Sequence, residues 1–355
     1  MKITDVQYKL IQVKPRVRFR IALTSDTRYD LIFVKISTDE GITGYGEACP
    51  FAPVTGDVND DIICFLDKMK TLLIGEDPLC IARIHHIMNR YINGKAGGKA
   101  GIDIALYDIL GKKANLPLYK LLGGFENTVH SDMTVGIDKP EAMAELAKKY
   151  VDEGFRILKI KVGANPEDDV EAVRRIRELV GPGISLRLDA NQGWTKKLSV
   201  NLMKVMEQFD VDEIEQPLPY WDFDGLRFVK DHISQDMMLD ESVLSPADAM
   251  HAVKADISDI INIKLMKSGG IYPALQINAI CEAAGIPCMV GCMSESRIAI
   301  AAGAALTAAQ RNIKYADLDG YRMVEEIPGI SGGFTQEGGL ITLTDKPGLG
   351  LDIDF

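Results

Sequence analysis

Two lysines stand close together in a short apolar stretch, where they could exchange protons with a substrate. The stretch covers residues 156–162 and reads RILKIKV, which is typical of a buried β-strand. Side chains alternate between the faces of a strand, so Lys159 and Lys161 share one face. Burial and a neighbouring cation both lower the pKa of a lysine, which can then act as a general base. An edge strand with solvated lysines is the alternative interpretation.

Three carboxylates occur at the ends of later apolar segments. Asp189, Glu215 and Asp240 each follow a short hydrophobic run. Ionised groups in such surroundings are costly unless they are paired or bind a metal. Converging carboxylate oxygens, with positions left for water and substrate, suit Mg²⁺. Alternatively, each carboxylate caps the helix that follows it or pairs with a basic neighbour.

Another lysine, Lys264, ends the apolar segment 261–264. In a barrel of eight parallel strands the second and sixth strands lie opposite each other. Lys161 and Lys264 would then face each other across the metal, an arrangement that could move a proton from one face of a carbon atom to the other. Lys267, in the next loop, is a rival for this role. A solvated lysine at the mouth of the barrel is the alternative for Lys264.

Two further carboxylates, Asp317 and Asp319, end the last apolar segment. Strand alternation places both on the same side of the backbone. Together they could bind the ammonium group of a substrate. The alternative is a turn in which both aspartates cap a helix.

The segments that carry these residues recur at an even spacing of 24–28 residues after about residue 130. They end near Val135, Lys161, Asp189, Glu215, Asp240, Lys264, Cys292 and Asp319. Amphipathic helical patterns lie between them, which predicts an α/β fold with a barrel of parallel strands. An open doubly wound sheet is the alternative, but no segment leads into a Gly-x-Gly-x-x-Gly phosphate turn.

The residues before about 125 follow a different pattern, with strand signals first and helical periodicity afterwards. The predicted elements are a first strand, a hairpin with strands at 30–36 and 42–47, loops at 16–28 and 49–57, and helices over 58–73, 78–92 and 97–113. Asp77-Pro78 predicts the start of the second helix, because proline is favoured at the first helical position. The glycine-rich last thirty residues are expected to pack back on this part.

Composition excludes several classes of protein. The net charge is −11 and no block of basic residues occurs, which argues against a nucleic-acid partner. The six cysteines form no Cys-x-x-Cys pair and are expected to be reduced thiols. The first residues lack the apolar core of a signal peptide, and no apolar run is long enough to span a membrane. We expect a cytoplasmic protein that forms a homo-oligomer.

These residues together resemble the enolase superfamily, in its muconate-lactonising-enzyme subgroup. The resemblance covers nearly the whole chain and includes GIDIALYDILGK at 101–112 and PLYKLLGG at 117–124. It implies a modified TIM (β/α)7β barrel at 126–324. It also implies an α+β capping domain at 1–125, on which the C-terminal segment 325–355 packs.

Within the subgroup, Asp317-x-Asp319 and the segment 262–270 look like those of the dipeptide epimerases. The resemblance implies Mg²⁺ bound to Asp189, Glu215 and Asp240, with Lys161 and Lys264 as catalytic bases on opposite faces of the α-carbon. Lys159 would lower the pKa of Lys161 and help to bind the substrate carboxylate. Thr134 and Ser294 would contact the peptide backbone of a dipeptide, and Asp317 and Asp319 its amino terminus.

Thr24 occupies the position at which Ala-Glu epimerases of this family often have an arginine. Arg16, Arg18, Arg20 or Arg297 could substitute for it, and Glu295 could instead favour a cationic side chain. Three alternatives within the same subgroup are an N-acylamino acid racemase, an o-succinylbenzoate synthase and a cycloisomerase, against which Asp317 and Asp319 argue. A non-catalytic metal-dependent binding protein is the alternative from another class.

Overall fold

An antiparallel sheet forms one side of the N-terminal α+β unit. The computed structural model describes residues 1–16, 19–24 and 28–354. The sheet has the order β1-β2-β3 and consists of β1 (Ile3–Val13), β2 (Tyr29–Thr38) and β3 (Thr43–Ala48). The hairpin predicted between β2 and β3 is confirmed, and Gly41 adopts a φ of 76° in its turn.

Five helices follow the sheet. They are α1 (Ala52–Thr55), α2 (Asn59–Leu73), α3 (Ile81–Tyr91), α4 (Ala96–Ala114) and α5 (Leu118–Leu121). The prediction that the second long helix begins at Pro78 is wrong. A turn precedes α3, because the Asp77 side chain accepts a hydrogen bond from the Leu79 amide and its carbonyl accepts one from the Cys80 amide. Helix α4 is buried along nearly its whole length, between the sheet and the rest of the molecule.

Eight parallel strands form the barrel, in the order of the sequence. After the short strand β4 (Thr128–His130) they are β5 (Met133–Val135), β6 (Ile157–Lys161), β7 (Ser185–Asp189), β8 (Glu213–Glu215), β9 (Asp236–Leu239), β10 (Ile260–Lys264), β11 (Cys288–Gly291) and β12 (Ile313–Asp317). A bridge between Ser131, just before β5, and Ala316 of β12 joins the two edges of this sheet, so that the barrel is nearly closed. Asp240, Cys292 and Asp319 lie one or two residues beyond the strands that were predicted to end near them.

Long helices connect the strands on the outside of the barrel. They are α6 (Pro140–Asp152), α7 (Pro166–Val180), α8 (Lys196–Met206), α9 (Phe223–Lys230), α10 (Pro246–Ala255), the short α11 (Leu265–Ser268) with α12 (Ile271–Ala283), and α13 (Arg297–Ala309). After β12, the only helix in the described part of the chain is the short α14 (Gly320–Met323), so the (β/α)7β prediction is confirmed. Among the described residues, no helix combines the length and hydrophobicity that a membrane span requires.

The C-terminal segment contacts both parts of the molecule. It contains β13 (Ile330–Gly332), β14 (Phe334–Glu337), β15 (Leu340–Leu343) and β16 (Leu351–Ile353). Strand β15 pairs with β4 at the start of the barrel, whereas the Leu349 amide donates to Asp108 of α4. The hydrogen bond from Leu349 to α4 supports the proposed packing of residues 325–355 on a capping domain at 1–125. The proposed barrel domain covers residues 126–324.

Candidate active site

A cavity of about 350 Å³ lies where the N-terminal unit covers the C-terminal ends of the barrel strands. Its wall includes eight of the residues predicted from the sequence to form the site: Thr24, Thr134, Lys161, Asp240, Lys264, Ser294, Asp317 and Asp319. Lys159, Asp189 and Glu215 are also brought to this end of the barrel, but they are fully buried and do not line the cavity. The structure thus collects residues from six barrel strands and from the loop before β2.

Two lysines enter this cavity from opposite sides of the barrel. Lys161 ends β6 and Lys264 ends β10, which are the second and sixth strands in the order of the barrel sheet. Lys161 Nζ lies 2.5 Å from Asp189 Oδ2, and it also donates to Asn191 Oδ1 at 3.1 Å. Lys264 Nζ lies 2.8 Å from Asp240 Oδ2. Each potential base is therefore held by a carboxylate at the end of a barrel strand.

Lys159 has a different environment from the one expected. Its ammonium group lies among three carboxylates, at 3.1 Å from Asp189, 2.7 Å from Glu215 and 2.8 Å from Asp317. Burial lowers the pKa of Lys159, but Asp317, Glu215 and Asp189 outweigh it, and the pKa is raised well above its ordinary value. Strand alternation does not reveal these acids, because they lie on three other strands.

Lys264 and its rival Lys267 are clearly separated by the structure. Lys267 does not line the cavity; its ammonium group donates to the side chain and carbonyl of Asp240 and, at 3.0 Å, to the Asn262 carbonyl. Lys264 lines the cavity. Burial lowers the pKa of Lys264, yet the net shift is upward because of Asp240. Of the two, Lys264 is the lysine that a bound substrate could reach.

Asp317 and Asp319 line the cavity together with Cys292. Oxygen and sulfur atoms of the three residues lie within 4.8 Å of one another. Burial and then Asp317 raise the pKa of Asp319 to about 7, and Asp319 accepts a 2.7 Å hydrogen bond from the Thr134 amide. Burial raises the pKa of the Cys292 thiol, and a neutral thiol is a poor ligand for Mg²⁺. This group suits an ammonium ion better than a metal.

The three acids expected to bind Mg²⁺ fit that ion by their chemistry. Asp189, Glu215 and Asp240 are at most 1% exposed and supply only carboxylate oxygens, the donor type that Mg²⁺ prefers. Burial and then Asp189 raise the pKa of Glu215 to about 8, although the Lys159 ammonium group lies 2.7 Å from its carboxylate. A buried oxygen of the neighbouring Glu241, Oε2, has no hydrogen-bond partner. These features indicate that the site accommodates additional positive charge.

Three residues that contact the predicted site residues or each other were not predicted from the sequence. Asn262 Nδ2 donates to Glu215 Oε1 at 2.7 Å, and Asn191 Nδ2 donates to Glu241 Oε1 at 3.1 Å. Asn191 and Asn262 each stand two residues from a predicted site residue, and Glu241 directly follows Asp240. The two-residue period of a strand could have identified Asn262, which lies in β10, whereas Asn191 lies beyond the end of β7.

The arginines suggested as substitutes at Thr24 do not line the cavity where they are described. Arg16 and Arg297 line a separate cavity, and Arg297 donates to the carbonyls of Gly332 and Phe334. Arg20 lines another surface pocket, and Arg18 lies outside the described residues. The cavity wall instead includes Arg28, which the sequence interpretation missed.

Glu295 does not face the cavity either. It is 2% exposed, and its carboxylate accepts a 2.9 Å hydrogen bond from the Met293 amide. Burial and then Glu47 raise its pKa to about 8. The structure therefore argues against a role for Glu295 in selecting a cationic side chain.

Comparison with known proteins places most of the chain in one family. The N-terminal domain model of mandelate racemase/muconate lactonizing enzyme matches residues 6–123, and the enolase C-terminal domain-like model matches residues 142–355. A hydrophobic dipeptide epimerase of Enterococcus faecalis is 44% identical over 353 residues, which cover 99% of both chains. The L-Ala-D/L-Glu epimerase of Bacillus subtilis is 38% identical over 99% of this chain and 97% of its own length.

A solved structure of a similar protein agrees in fold over the whole chain. The dipeptide epimerase of Enterococcus faecalis in complex with Mg and L-Leu-L-Tyr superposes with a TM-score of 0.97 at 44% identity. The match covers 99% of this chain and 100% of the other. The chain therefore belongs to the mandelate racemase/muconate lactonizing enzyme family, and the resemblance to the enolase superfamily recognised in its residues is confirmed.

Proposed function

We propose that this chain is an isomerase that inverts the α-carbon of the C-terminal residue of an L,L-dipeptide by Mg²⁺-dependent 1,1-proton transfer. The observation that carries the proposal is the placement of Lys161 and Lys264 on the second and sixth strands of the barrel, with both side chains at one cavity. Two bases on opposite sides of a bound carbon can remove a proton from one face and return a proton to the other. The dipeptide epimerases among the relatives support this assignment.

Each group at the site has a separate task in this proposal. Asp189, Glu215 and Asp240 would hold Mg²⁺, which when bound supplies positive charge beside the substrate carboxylate and makes the α-proton more acidic. Lys161 and Lys264 would transfer the proton. Lys159, with its raised pKa, would remain charged and hold Asp189, Glu215 and Asp317 in place while its field attracts the substrate carboxylate.

The acidic wall supports a substrate with a free amino terminus. Asp317 and Asp319 line the cavity, and both are buried. An ammonium group would compensate these carboxylates, whereas an N-succinyl group would add a further negative charge in a poorly solvated place. Thr134, Ser294 and Thr24 also line the cavity and are the proposed contacts to the dipeptide itself.

The wall contributed largely by the N-terminal unit supports an apolar side chain on the substrate. Phe19, Ile21, Phe51, Met293 and Met323 line this part of the cavity, and burying an apolar side chain there would be favourable. We therefore propose dipeptides with a hydrophobic C-terminal residue as the preferred substrates. The name of the relative from Enterococcus faecalis agrees with this choice.

One observation supports an L-Ala-L-Glu substrate as a second candidate. Arg28 lines the cavity, and its side chain is 59% exposed. Its Nε atom lies 3.7 Å from Asp30 Oδ1. Its guanidinium could bind the side-chain carboxylate of a glutamate. Arg28→Ala would then lower kcat/KM for L-Ala-L-Glu selectively, whereas it would leave L-Ala-L-Leu unchanged if the hydrophobic assignment holds.

The test is proton exchange in D₂O with Mg²⁺, followed by mass spectrometry and chiral separation. We expect L-Ala-L-Leu to gain one dalton with inversion at leucine, and to react at least about tenfold faster than L-Ala-L-Glu, since one apolar group gives this order of discrimination. Exchange only with N-succinyl or N-acetyl leucine would favour the N-acylamino acid racemase. Tight Mg²⁺-dependent binding of a dipeptide without exchange would indicate a non-catalytic binding protein.

A further inference from the structure

Helix α12 begins without a capping side chain of its own. Its N-cap residue is Gly270, so the first amides of the helix have no local side-chain acceptor. Asp103, from the middle of α4, supplies one: its carboxylate accepts hydrogen bonds from the Ile271 amide at 2.5 Å and the Tyr272 amide at 3.3 Å. A carboxylate from the N-terminal unit thus caps a helix of the barrel, 168 residues later in the sequence.

A histidine and a glycine hold this contact in place. His85 Nε2 lies 2.6 Å from Asp103 Oδ1, and its ring stacks on Tyr272 with the centroids 4.9 Å apart. His85 and Asp103 are 4% and 0% exposed. Gly270 has a φ of 114°, and a Cβ atom there would lie only 2.3 Å from the Asp103 carboxyl carbon. The carboxylate can approach the helix because residue 270 has no side chain.

The segment between this cap and Lys264 is short and internally bonded. Lys264 ends β10 and is itself the N-cap of α11, so only five residues separate it from Gly270. The amides of Gly269 and Gly270 both donate to the Leu265 carbonyl, and Ser268 Oγ donates to the Lys264 carbonyl. A shift of the α12 N-terminus would therefore be transmitted to Lys264.

We propose that Asp103, supported by His85, is a positioning residue for Lys264. Asp103 lies outside the cavity wall and touches no group at which the reaction would occur. It fixes the far end of the segment 264–270, whose near end is fixed by β10. Lys161 lies on β6 and does not depend on this segment. The inference rests on the proposed function, because it requires that the two lysines serve opposite faces of the substrate.

Because each lysine would serve one epimer, separate exchange rates for the two epimers distinguish a misplaced Lys264 from a general loss of stability. With Lys264→Ala and Lys161→Ala as references, exchange of the α-proton in D₂O is measured separately for L-Ala-L-Leu and L-Ala-D-Leu at saturating Mg²⁺. Each reference variant identifies the epimer whose proton the remaining lysine exchanges. We expect Asp103→Asn to shift the ratio of the two exchange rates at least tenfold, in the direction of Lys264→Ala.

A second variant serves if Asp103→Asn does not fold. His85→Asn removes the ring that stacks on Tyr272 but leaves both hydrogen bonds from the α12 amides to Asp103 possible. It should shift the exchange ratio in the same direction by a smaller factor. An unchanged ratio in the folded variants, or equal loss of exchange for both epimers, would overturn the proposal.

Asp108 provides the matched control on the same helix. It is also buried and also accepts amide hydrogen bonds across the structure, from Tyr45 at 3.0 Å and Leu349 at 2.9 Å. Its ammonium partner is Lys112 at 2.7 Å, and none of these three partners belongs to the segment 264–270. Asp108→Asn should leave the exchange ratio unchanged, and a shift equal to that of Asp103→Asn would also contradict the proposal. Absence of exchange in the wild-type protein would instead refute the proposed function.

Discussion

At the scale of single residues, the candidate site is a set of buried charges that compensate one another. The single ammonium group of Lys159 contacts three carboxylates, those of Asp189, Glu215 and Asp317. Removing one partner from such a network leaves the others buried and unpaired, which costs more than the pair itself contributes. The activity of variants at this site should therefore be measured together with their folding.

The two lysines at the cavity give the most direct prediction. Lys161→Ala and Lys264→Ala should each lower the rate of epimerisation by at least about 10²–10⁴-fold, the range for loss of a general acid or base. The rate is measured by chiral chromatography of L-Ala-L-Leu. Lys196→Ala, in which only an exposed contact to the Phe228 ring is lost, is the control. Full activity in either active-site variant would refute the two-base mechanism.

Asn262 should influence Mg²⁺ affinity without binding the ion itself. It is 0% exposed, and its Nδ2 orients Glu215 by a 2.7 Å hydrogen bond. Loss of such an orienting partner typically weakens metal binding by about 10–100-fold. We expect this weakening in Asn262→Leu, measured by Mg²⁺ titration calorimetry. Asn278→Leu, which affects a buried asparagine bonded to Gln310, should bind Mg²⁺ like the wild type, and equal affinities in both variants would contradict the prediction.

Glu47 should make stability depend on pH. Burial raises its pKa to about 7, although the Ser296 and Ala299 amides at the start of α13 donate to it. Because the pKa in the folded state is above 4.5, the contribution of Glu47 is complete below about pH 4.5 and is lost as pH rises through about 7. A pKa shift of this size corresponds to about 3 kcal/mol in the free energy of unfolding.

Glu47→Gln imitates the protonated form and does not titrate. Urea unfolding at pH 5 and pH 8, with Mg²⁺ present, measures the free energy of unfolding of both proteins. Between these pH values the wild type should lose about 2–3 kcal/mol relative to the variant. Parallel pH profiles would show that Glu47 does not titrate in this range.

At the scale of elements, the N-terminal unit depends on a close backbone contact between α4 and β3. Gly44, Gly46 and Gly101 lie in this contact, and a Cβ atom on Gly46 would lie 1.9 Å from the Gly101 carbonyl oxygen. Backbone atoms cannot move aside as a flexible side chain can. The contact also fixes Glu47 and Asp103, which follow these glycines closely on β3 and α4.

Because this contact is so close, we expect a single added methyl group to destabilise the fold strongly. Gly46→Ala should lower the free energy of unfolding by about 3 kcal/mol or more, since overpacking of a rigid contact is poorly relieved. Gly183→Ala is the matched control, because a Cβ atom at that exposed position meets nothing within 4 Å. It should change stability by less than about 0.5 kcal/mol. Urea denaturation of both variants measures the difference, and similar stabilities would contradict this interpretation.

At the scale of the whole molecule, the cavity exists only where the N-terminal unit and the barrel meet. Residues from the loops before β2 and after β3 form one wall, and the strand ends form the other. Asp103 and Glu47 join the same two parts at the starts of α12 and α13. The homo-oligomeric state expected from the sequence stays a prediction, which multi-angle light scattering tests.

Mg²⁺ should stabilise the whole molecule, because only the folded chain brings Asp189, Glu215 and Asp240 together. At a concentration of about 100 times its Kd, the ion should raise the free energy of unfolding by about 2.7 kcal/mol. Thermal or urea unfolding with Mg²⁺ and with EDTA measures this gain. The gain should largely disappear in Asp189→Asn, and an equal gain in that variant would place the ion elsewhere.

The sequence by itself determined the type and order of the barrel elements and most residues of the candidate site. Strand periodicity and even spacing are local properties, and parallel strands in sequence order necessarily bring their carboxyl ends to one edge of a barrel. Lys161, Asp240, Lys264 and Asp317 could therefore be recognised before any coordinates were known, and they do meet at one cavity.

Only the tertiary structure decided which partners each charge has. The raised pKa of Lys159 depends on Asp189, Glu215 and Asp317, which lie on three other strands. The position of Arg28 in the cavity wall brings it near residues distant in the sequence, and the Asp103 cap on α12 joins residues 168 positions apart. Such contacts depend on distances between distant segments, and periodicity within one segment carries no information about them.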